Sequence, residues 1–201
     1  MSATGTAPRC AWALHSALEI DYHDTEWGRP QTDDRILFEF LLLEGAQAGL
    51  SWRTVLEKRE GYRRHFLGFD PRRVAAFGAT EIEAMLADPG VIRHRGKLES
   101  AVDNARVFLE LQAKHGSFAR YLWQFTDGKP LQGQRESMGQ IPAQTPESQR
   151  MSRELKRQGM RFVGPTICYA YMQAVGLVND HLLSCPCHGD CATAGERFTL
   201  P

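Results

Sequence analysis

Cysteine and histidine side chains bracket this 201-residue chain: Cys10 and His23 lie near one end, His181 and Cys185 near the other. His181 and Cys185 have the i, i+4 spacing that sets two ligands on one side of a helical turn. Together the four donors would make a closed Cys2His2 tetrahedron, the set that suits structural zinc, and would tie two short terminal segments together. Spacing alone leaves other readings open. Cys185, Cys187, His188 and Cys191 are crowded locally, although Cys-x-Cys-His-x-x-Cys is cramped for one tetrahedron. A catalytic zinc on a small substrate needs an open position and an acid, for which Glu26 or Asp180 could be invoked. A chain without metal is the third reading.

A second constellation is aromatic and acidic. Trp12, Tyr22, Trp27 and Trp52 fall in about the first quarter of the chain, and Glu44 follows Leu41-Leu42-Leu43. A carboxylate in that position is costly to bury without a partner. Exposed at a helix end it would be ordinary, and the aromatics would be core. Buried, it would face a flat, electron-poor or cationic ring, with aromatic faces attracting the cation and the carboxylate accepting from an exocyclic amine. An alkylated purine flipped out of DNA is such a ring.

The elements that must position these groups read as helices. Thr32-Asp33-Asp34 opens an apolar helix from Ile36, buried on most faces, and Ser51 caps another to about Phe66. Asp70-Pro71 starts a third, and Thr80-Glu-Ile-Glu83 reads as a capping box. Gly96-Lys97 leads into a long amphipathic run closed by His115-Gly116, and Ser117 to Phe125 is short. Residues 147–158 form a basic helix, and Gly164-Pro165-Thr166 starts one that Gly176 ends. No window alternates long enough for a strand. The expectation is an all-α unit over 9–187, with two lobes possible and a surface excursion at 126–146. Residues 1–8 are expected to be flexible, and 188–201 form a tail that frays after Cys191.

Charge and composition narrow the function. With 24 basic and 24 acidic residues the net charge is zero, which excludes a generic polycation. The charge is segregated, however: 53–73, 93–97 and 150–161 are basic, and 19–34 is acidic. Arg157-Gln-Gly-Met-Arg161-Phe-Val-Gly164-Pro-Thr166 has the form of a helix, a glycine-bounded hairpin and a second helix whose free N–H groups favour an anion such as a phosphate. Neither a membrane-spanning run nor a signal peptide is visible, so a cytoplasmic protein is expected. Five cysteines make a poor disulfide framework.

Five segments carry a resemblance: Arg9-Cys-Ala-Trp12; Tyr22-His-Asp-Thr-Glu-Trp-Gly28; Leu43-Glu-Gly-Ala-Gln-Ala-Gly-Leu-Ser-Trp52; Ile92-Arg-His-Arg-Gly-Lys97; and Phe162-Val-Gly-Pro-Thr to Val178-Asn-Asp-His181. In these the chain resembles the bacterial 3-methyladenine DNA glycosylases of the constitutive, zinc-containing type. The resemblance implies an all-α helix-hairpin-helix glycosylase bundle, with one structural zinc on Cys10, His23, His181 and Cys185. It implies that Glu44 and Tyr22 hydrogen-bond the extruded base, that Trp52 stacks on it beside Trp12, and that Gly49-Leu50 falls where the family contacts or wedges into the vacated stack. Arg161, Gly164 and Thr166 fall where the hairpin would hold DNA. One departure stands out: where the family commonly carries a tyrosine before Ile-x-Tyr-His, this chain has Glu19, which changes an aromatic wall or adds a second carboxylate.

The activity implied is release of 3-methyladenine from alkylated double-stranded DNA by a monomeric, monofunctional enzyme. Neither the Glu44–Trp52 nor the Phe162–His181 segment holds a lysine for a Schiff-base lyase step. Asp180 falls near the usual aspartate of such enzymes, but its neighbour His181 is committed to zinc, so Asp180 is not expected to be catalytic. A damage-binding protein of the same fold without catalysis is the alternative, and Glu19 is its support.

Overall fold

A computed structural model describes residues 8–200; the expected flexible start, apart from Pro8, and the final residue lie outside the described residues. Ten α-helices follow one another: α1 (Ala17–Thr25), α2 (Asp34–Gln47), α3 (Trp52–His65), α4 (Pro71–Val74), α5 (Ala79–Ala87), α6 (Arg95–His115), α7 (Phe118–Trp123), α8 (Pro146–Arg157), α9 (Pro165–Ala174) and α10 (Pro186–Glu196).

Local capping chemistry sets most of the boundaries. Asp33 accepts from the Arg35 and Ile36 amides at the start of α2, Ser51 from Thr54 at α3, and Asp70 from Arg72 ahead of Pro71 at α4. At α5 the expected box shifts by two residues: the Glu81 carboxylate accepts from Gly78 N, so the helix begins at Ala79. His94 caps α6 through Nδ1, and Gly116 ends that helix at φ +85°.

Helix α2 is the axis of the core. Every residue from Leu37 to Ala46 is buried, because α3, α6, α7 and α9 pack around it. Its start is tied to α7 by Asp34, whose carboxylate accepts from the Phe118 and Ala119 amides and from Gln112 Nε2, at 2.7–2.8 Å. Helices α8 and α9 pack against each other across a turn in which Gly159 and Phe162 take positive φ (100° and 55°). The turn is clipped to α6 by Asn104, which donates to Arg161 O and accepts from Arg161 N.

Three features differ from expectation. A short parallel pair joins β1 (Leu131–Gln132) to β2 (Val178–Asn179), extended by a bridge between Arg135 and Leu182. It is too short to leave an alternating pattern in the sequence, yet it holds the 126–146 excursion against the segment that carries His181. The expected tail is instead a helix: α10 runs to Glu196, Cys191 is buried, and Phe198 lies 4.1 Å from the Trp123 ring. The 3-10 turn Ala11–His15 and α1 were not marked by any signal read above, because their apolar faces are short.

Because Asp34 is the acceptor for three donors from α6 and α7, Asp34→Ala is expected to lower unfolding stability by about 1–3 kcal/mol, measured by urea denaturation with the slope unchanged.

Candidate active site

Helix α2 buries two carboxylates, and their surroundings differ. Glu39 Oε1 accepts from Arg59 Nε at 2.6 Å and from Arg63 Nη2 at 2.8 Å, and Arg59 also grips Glu26 with both terminal nitrogens. This network locks the end of α1 to α2 and α3, and it neutralises the buried acid. Glu44 has no such compensation. It is 3% exposed, its Oε2 is buried without a hydrogen-bond partner among the described residues, and burial pushes its carboxyl up to about 8.

Glu44 lies on the wall of a pocket of about 270 Å³ shared with Trp12, Tyr22, Trp27, Gln47, Trp52, Met138, Ile141, Ala170 and Gln173. Tyr22 is the hub of the aromatic wall, 5.2 Å from the Trp52 ring and 6.2 Å from Trp12, which meets Trp27 edge-on at 5.0 Å. Burial, with the Glu44 charge adding, raises the Tyr22 hydroxyl well above its ordinary value, so it is a neutral donor. Trp52 Nε1 is a second group buried on this wall without a partner among the described residues. A flat ring with donors and positive charge matches this lining: aromatic faces, one acceptor of potential full negative charge, and neutral hydroxyl and indole donors.

Immediately behind that wall, Cys10, His23, His181 and Cys185 converge, all buried, with one donor atom of each within 4.8 Å of the others. Nitrogen–sulfur separations are 3.7–3.8 Å and the two imidazole nitrogens are 3.2 Å apart. Tetrahedral Zn2+, with bonds of about 2.3 Å to sulfur and about 2.0 Å to nitrogen, spaces its donors by roughly 3.3–3.8 Å. The remaining ring nitrogens also fit. His23 Nδ1 lies 2.8 Å from Asp24, and His181 Nε2 lies 3.0 Å from the Trp27 carbonyl. Both partners are acceptors, so the protons sit there and the lone pairs face the centre. Gly28, at φ +78°, is held against His181, where a Cβ would come within 3.0 Å of the ring.

Among the described residues, Cys187, His188 and Cys191 do not join Cys185 in a four-donor cluster. His188 Nε2 contacts Gly133 O, Cys191 points at Trp27 O, and Cys187 turns toward Asp24. Glu26 is committed to Arg59. Asp180 is fully buried, bonded by Arg135, Tyr169 and Gln173, and it does not line the pocket.

Glu19 stands apart from the pocket-lining residues. It is buried at the start of α1, where Ser16 Oγ donates to its carboxylate and accepts from its amide, and it does not line the pocket. Gly49 takes φ +78° and Leu50 is 42% exposed at the tip of the α2–α3 turn. That turn is braced by Lys97, whose Nζ donates to Ala46 O at 2.7 Å and Ala48 O at 2.6 Å; burial lowers the ammonium's pKa. Arg161 pairs with Asp103 at 3.0 Å, and no side chain caps α9 at Gly164, ahead of Pro165 and Thr166.

Met138, Ile141, Gln47, Ala170 and Gln173 were not anticipated. Met138 and Ile141 come from the excursion, whose composition has no period to mark an inward face. Lys97 falls in the basic stretch 93–97 and in the segment Ile92–Lys97, neither of which marks it as a brace of the α2–α3 turn.

The helical bundle and its pocket place the protein in a known class. Residues 12–188 match the methyladenine glycosylase family, and the chain belongs to that family. It is 47% identical over 180 residues to DNA-3-methyladenine glycosylase 1 of Escherichia coli, covering 90% of this chain and 96% of the relative. It is 46% identical to DNA-3-methyladenine glycosylase of Haemophilus influenzae over 89% of this chain and 97% of that one. Among solved structures, a 3-methyladenine DNA glycosylase I superposes with TM-score 0.88 at 51% identity, over 90% of this chain and 100% of the other. The Staphylococcus aureus enzyme, solved to show its recognition of 3-methyladenine, superposes with TM-score 0.87 at 36% identity, over 90% and 97%.

An acid whose pKa is raised on folding makes the folded state bind more protons than the unfolded one, so stability falls as pH rises from about 4.5 to 8. Glu44→Gln is therefore expected to match the parent in urea stability at pH 4 and to exceed it progressively up to pH 8.5. At roughly 1.4 kcal/mol per unit of raised pKa the gain amounts to a few kcal/mol. Equal stabilities at both pH values would contradict the uncompensated burial.

Proposed function

We propose that this protein is a DNA-3-methyladenine glycosylase of base-excision repair. On this reading it extrudes an alkylated nucleotide from double-stranded DNA and hydrolyses its N-glycosidic bond, leaving an abasic site. The observation that carries the reading is Glu44, a carboxylate left without a partner inside an aromatic pocket.

Methylation at N3 makes adenine cationic, so the base leaves as a neutral purine once the glycosidic electron pair returns to it. No strong general acid is needed. The positive charge passes to the sugar, which water captures with loss of a proton. What the protein must supply is selection of the cation and a negative electrostatic environment while that charge moves. Glu44 serves both, since a cationic ring draws it into the ionised form that an empty or neutrally filled pocket disfavours. Tyr22 and Trp52 supply donors and stacking area, with Trp12 on the same wall.

On this reading Leu50, exposed on the turn that Lys97 braces, enters the gap left by the extruded nucleotide. The α8–α9 turn serves as a helix-hairpin-helix phosphate contact, with Arg161, Gly164 and the open start of α9 at Thr166. No lysine among the described residues lines the pocket, and Lys97 is occupied elsewhere. Its engagement with two carbonyls, and its place outside the pocket lining, support hydrolysis without a lyase step.

Cys10, His23, His181 and Cys185 would hold one structural Zn2+; with four protein donors it would cross-link the termini, contributing on the order of 10 kcal/mol, and leave no position for water. Five free cysteines suit a reducing cytoplasm, and a monomer is sufficient because the pocket is built from one chain. No helix among the described residues is long and apolar enough to cross a membrane.

The purified protein is expected to release 3-methyladenine from methylated duplex DNA, resolved chromatographically, without strand cleavage before alkali is added. Glu44→Gln should lower kcat/KM by roughly 10–100-fold, the worth of a charge-assisted hydrogen bond. It should also abolish the alkaline rise, about tenfold per pH unit up to about pH 8, that ionisation of Glu44 gives the parent. Undiminished release by Glu44→Gln would overturn the pocket assignment. Elemental analysis should find one zinc per chain, lost in a Cys10→Ala, His181→Ala double variant.

A further inference from the structure

Asp180 lies beside the pocket without lining it, and its contacts assign it a purpose. It is fully buried, and Arg135 Nε donates to its Oδ1 at 3.1 Å. Its Oδ2 accepts from the Tyr169 hydroxyl and, at 2.9 Å, from Gln173 Nε2. Gly133 closes the remaining side so tightly that a Cβ there would fall 2.2 Å from Asp180 Oδ1. A carboxylate enclosed in this way reaches neither substrate nor water, and its position is over-determined by three donors from two segments, the 126–146 excursion and α9.

Gln173 is different, because it does line the pocket, from α9, which packs against the helix that carries Glu44. The two ends of a glutamine amide are chemically distinct: nitrogen only donates and oxygen only accepts. Asp180 only accepts, so Gln173 Nε2 must face it, and the amide cannot turn over without setting oxygen against carboxylate. Gln173 Oε1 takes part in no hydrogen bond with the described residues and is not fully buried. The pocket therefore contains a neutral acceptor of enforced orientation in addition to Glu44.

We propose that Gln173 is a specificity-determining residue, its Oε1 accepting a hydrogen bond from the exocyclic amine of the bound base, and that Asp180 is the positioning residue that keeps that oxygen presented. An acceptor so fixed favours a 6-amino purine and opposes a 6-oxo purine, whose carbonyl would face it with no hydrogen between them. Glu44 selects the cation; Gln173 selects the amine. Arg135 and Tyr169 act only by holding Asp180.

This inference rests on the glycosylase reading, and its test separates the two. Release of 3-methyladenine and of 3-methylguanine from the same methylated duplex DNA is measured chromatographically for the parent and for Gln173→Met, which keeps side-chain length and loses the acceptor. The expected result is about a tenfold fall in kcat/KM for the amino base, with the oxo base within about twofold of the parent, so that the preference narrows about tenfold. Asp180→Asn, checked for unchanged zinc content and melting, should narrow the preference in the same direction, an effect that mere loosening of the fold would not produce. If that variant does not fold, Gln173→Met decides alone. An unchanged preference in Gln173→Met, whatever happens to the rate, overturns the proposal. If the parent releases no base, the glycosylase reading fails instead, and the same preference is then read from tryptophan-fluorescence titrations of the two free bases.

Discussion

An acid held inside a protein without a counter-charge must be supported by everything around it, and this chain is arranged around one such acid. Glu39 and Glu44 lie five residues apart on the same buried helix. The first is neutralised by two guanidinium groups, and the second meets aromatic rings and an unfilled space. A helix of otherwise uniform burial thus carries one acid that stabilises the bundle and one that burdens it. The burden is tolerated because α3, α6, α7 and α9 pack on the other faces of α2 and supply apolar contact over its whole length.

The aromatic wall facing Glu44 is stiffened from behind. Trp12 leans edge-on against His23, and the Trp27 carbonyl receives the second nitrogen of His181. The four converging donors and the pocket-lining rings are therefore neighbours in one layer, and displacement of either would be transmitted to the other. Arg9 adds an outer brace by gripping Asp24, the carboxylate that orients His23. Both chain ends, which have little core of their own, are consequently committed to the shape of the pocket.

Legibility in the sequence followed the range of the interaction. Asp33, Ser51, Asp70 with Pro71, and Ser117 act within three residues of themselves, so the starts of α2, α3, α4 and α7 could be read directly. Glu44 was visible as an oddity of composition, and its role became specific through the company of Tyr22, Trp52 and Trp12. What stayed hidden depends on distant backbone. Lys97 and Asn104 bond main-chain groups, which every residue possesses and which leave no pairwise signature. Met138 and Ile141 face inward because β1 aligns with a strand 47 residues later, a pairing that a two-residue element cannot advertise. Glu19 misled in the opposite sense: its replacement of an aromatic residue looked like a change to the pocket, whereas its carboxylate serves the start of its own helix.

The excursion between α7 and α8 is anchored by its ends and by Gly133, and it contributes to the pocket through two side chains alone, Met138 and Ile141. Glu44, the rings and the buried donors sit on elements whose alteration would disturb the core. The excursion wall has no such obligations. Evolution therefore has a region in which the breadth of damage accepted can drift by small insertions and apolar exchanges, while the chemistry and the architecture are inherited intact. A lineage facing a different spectrum of alkylating toxins could adapt there first.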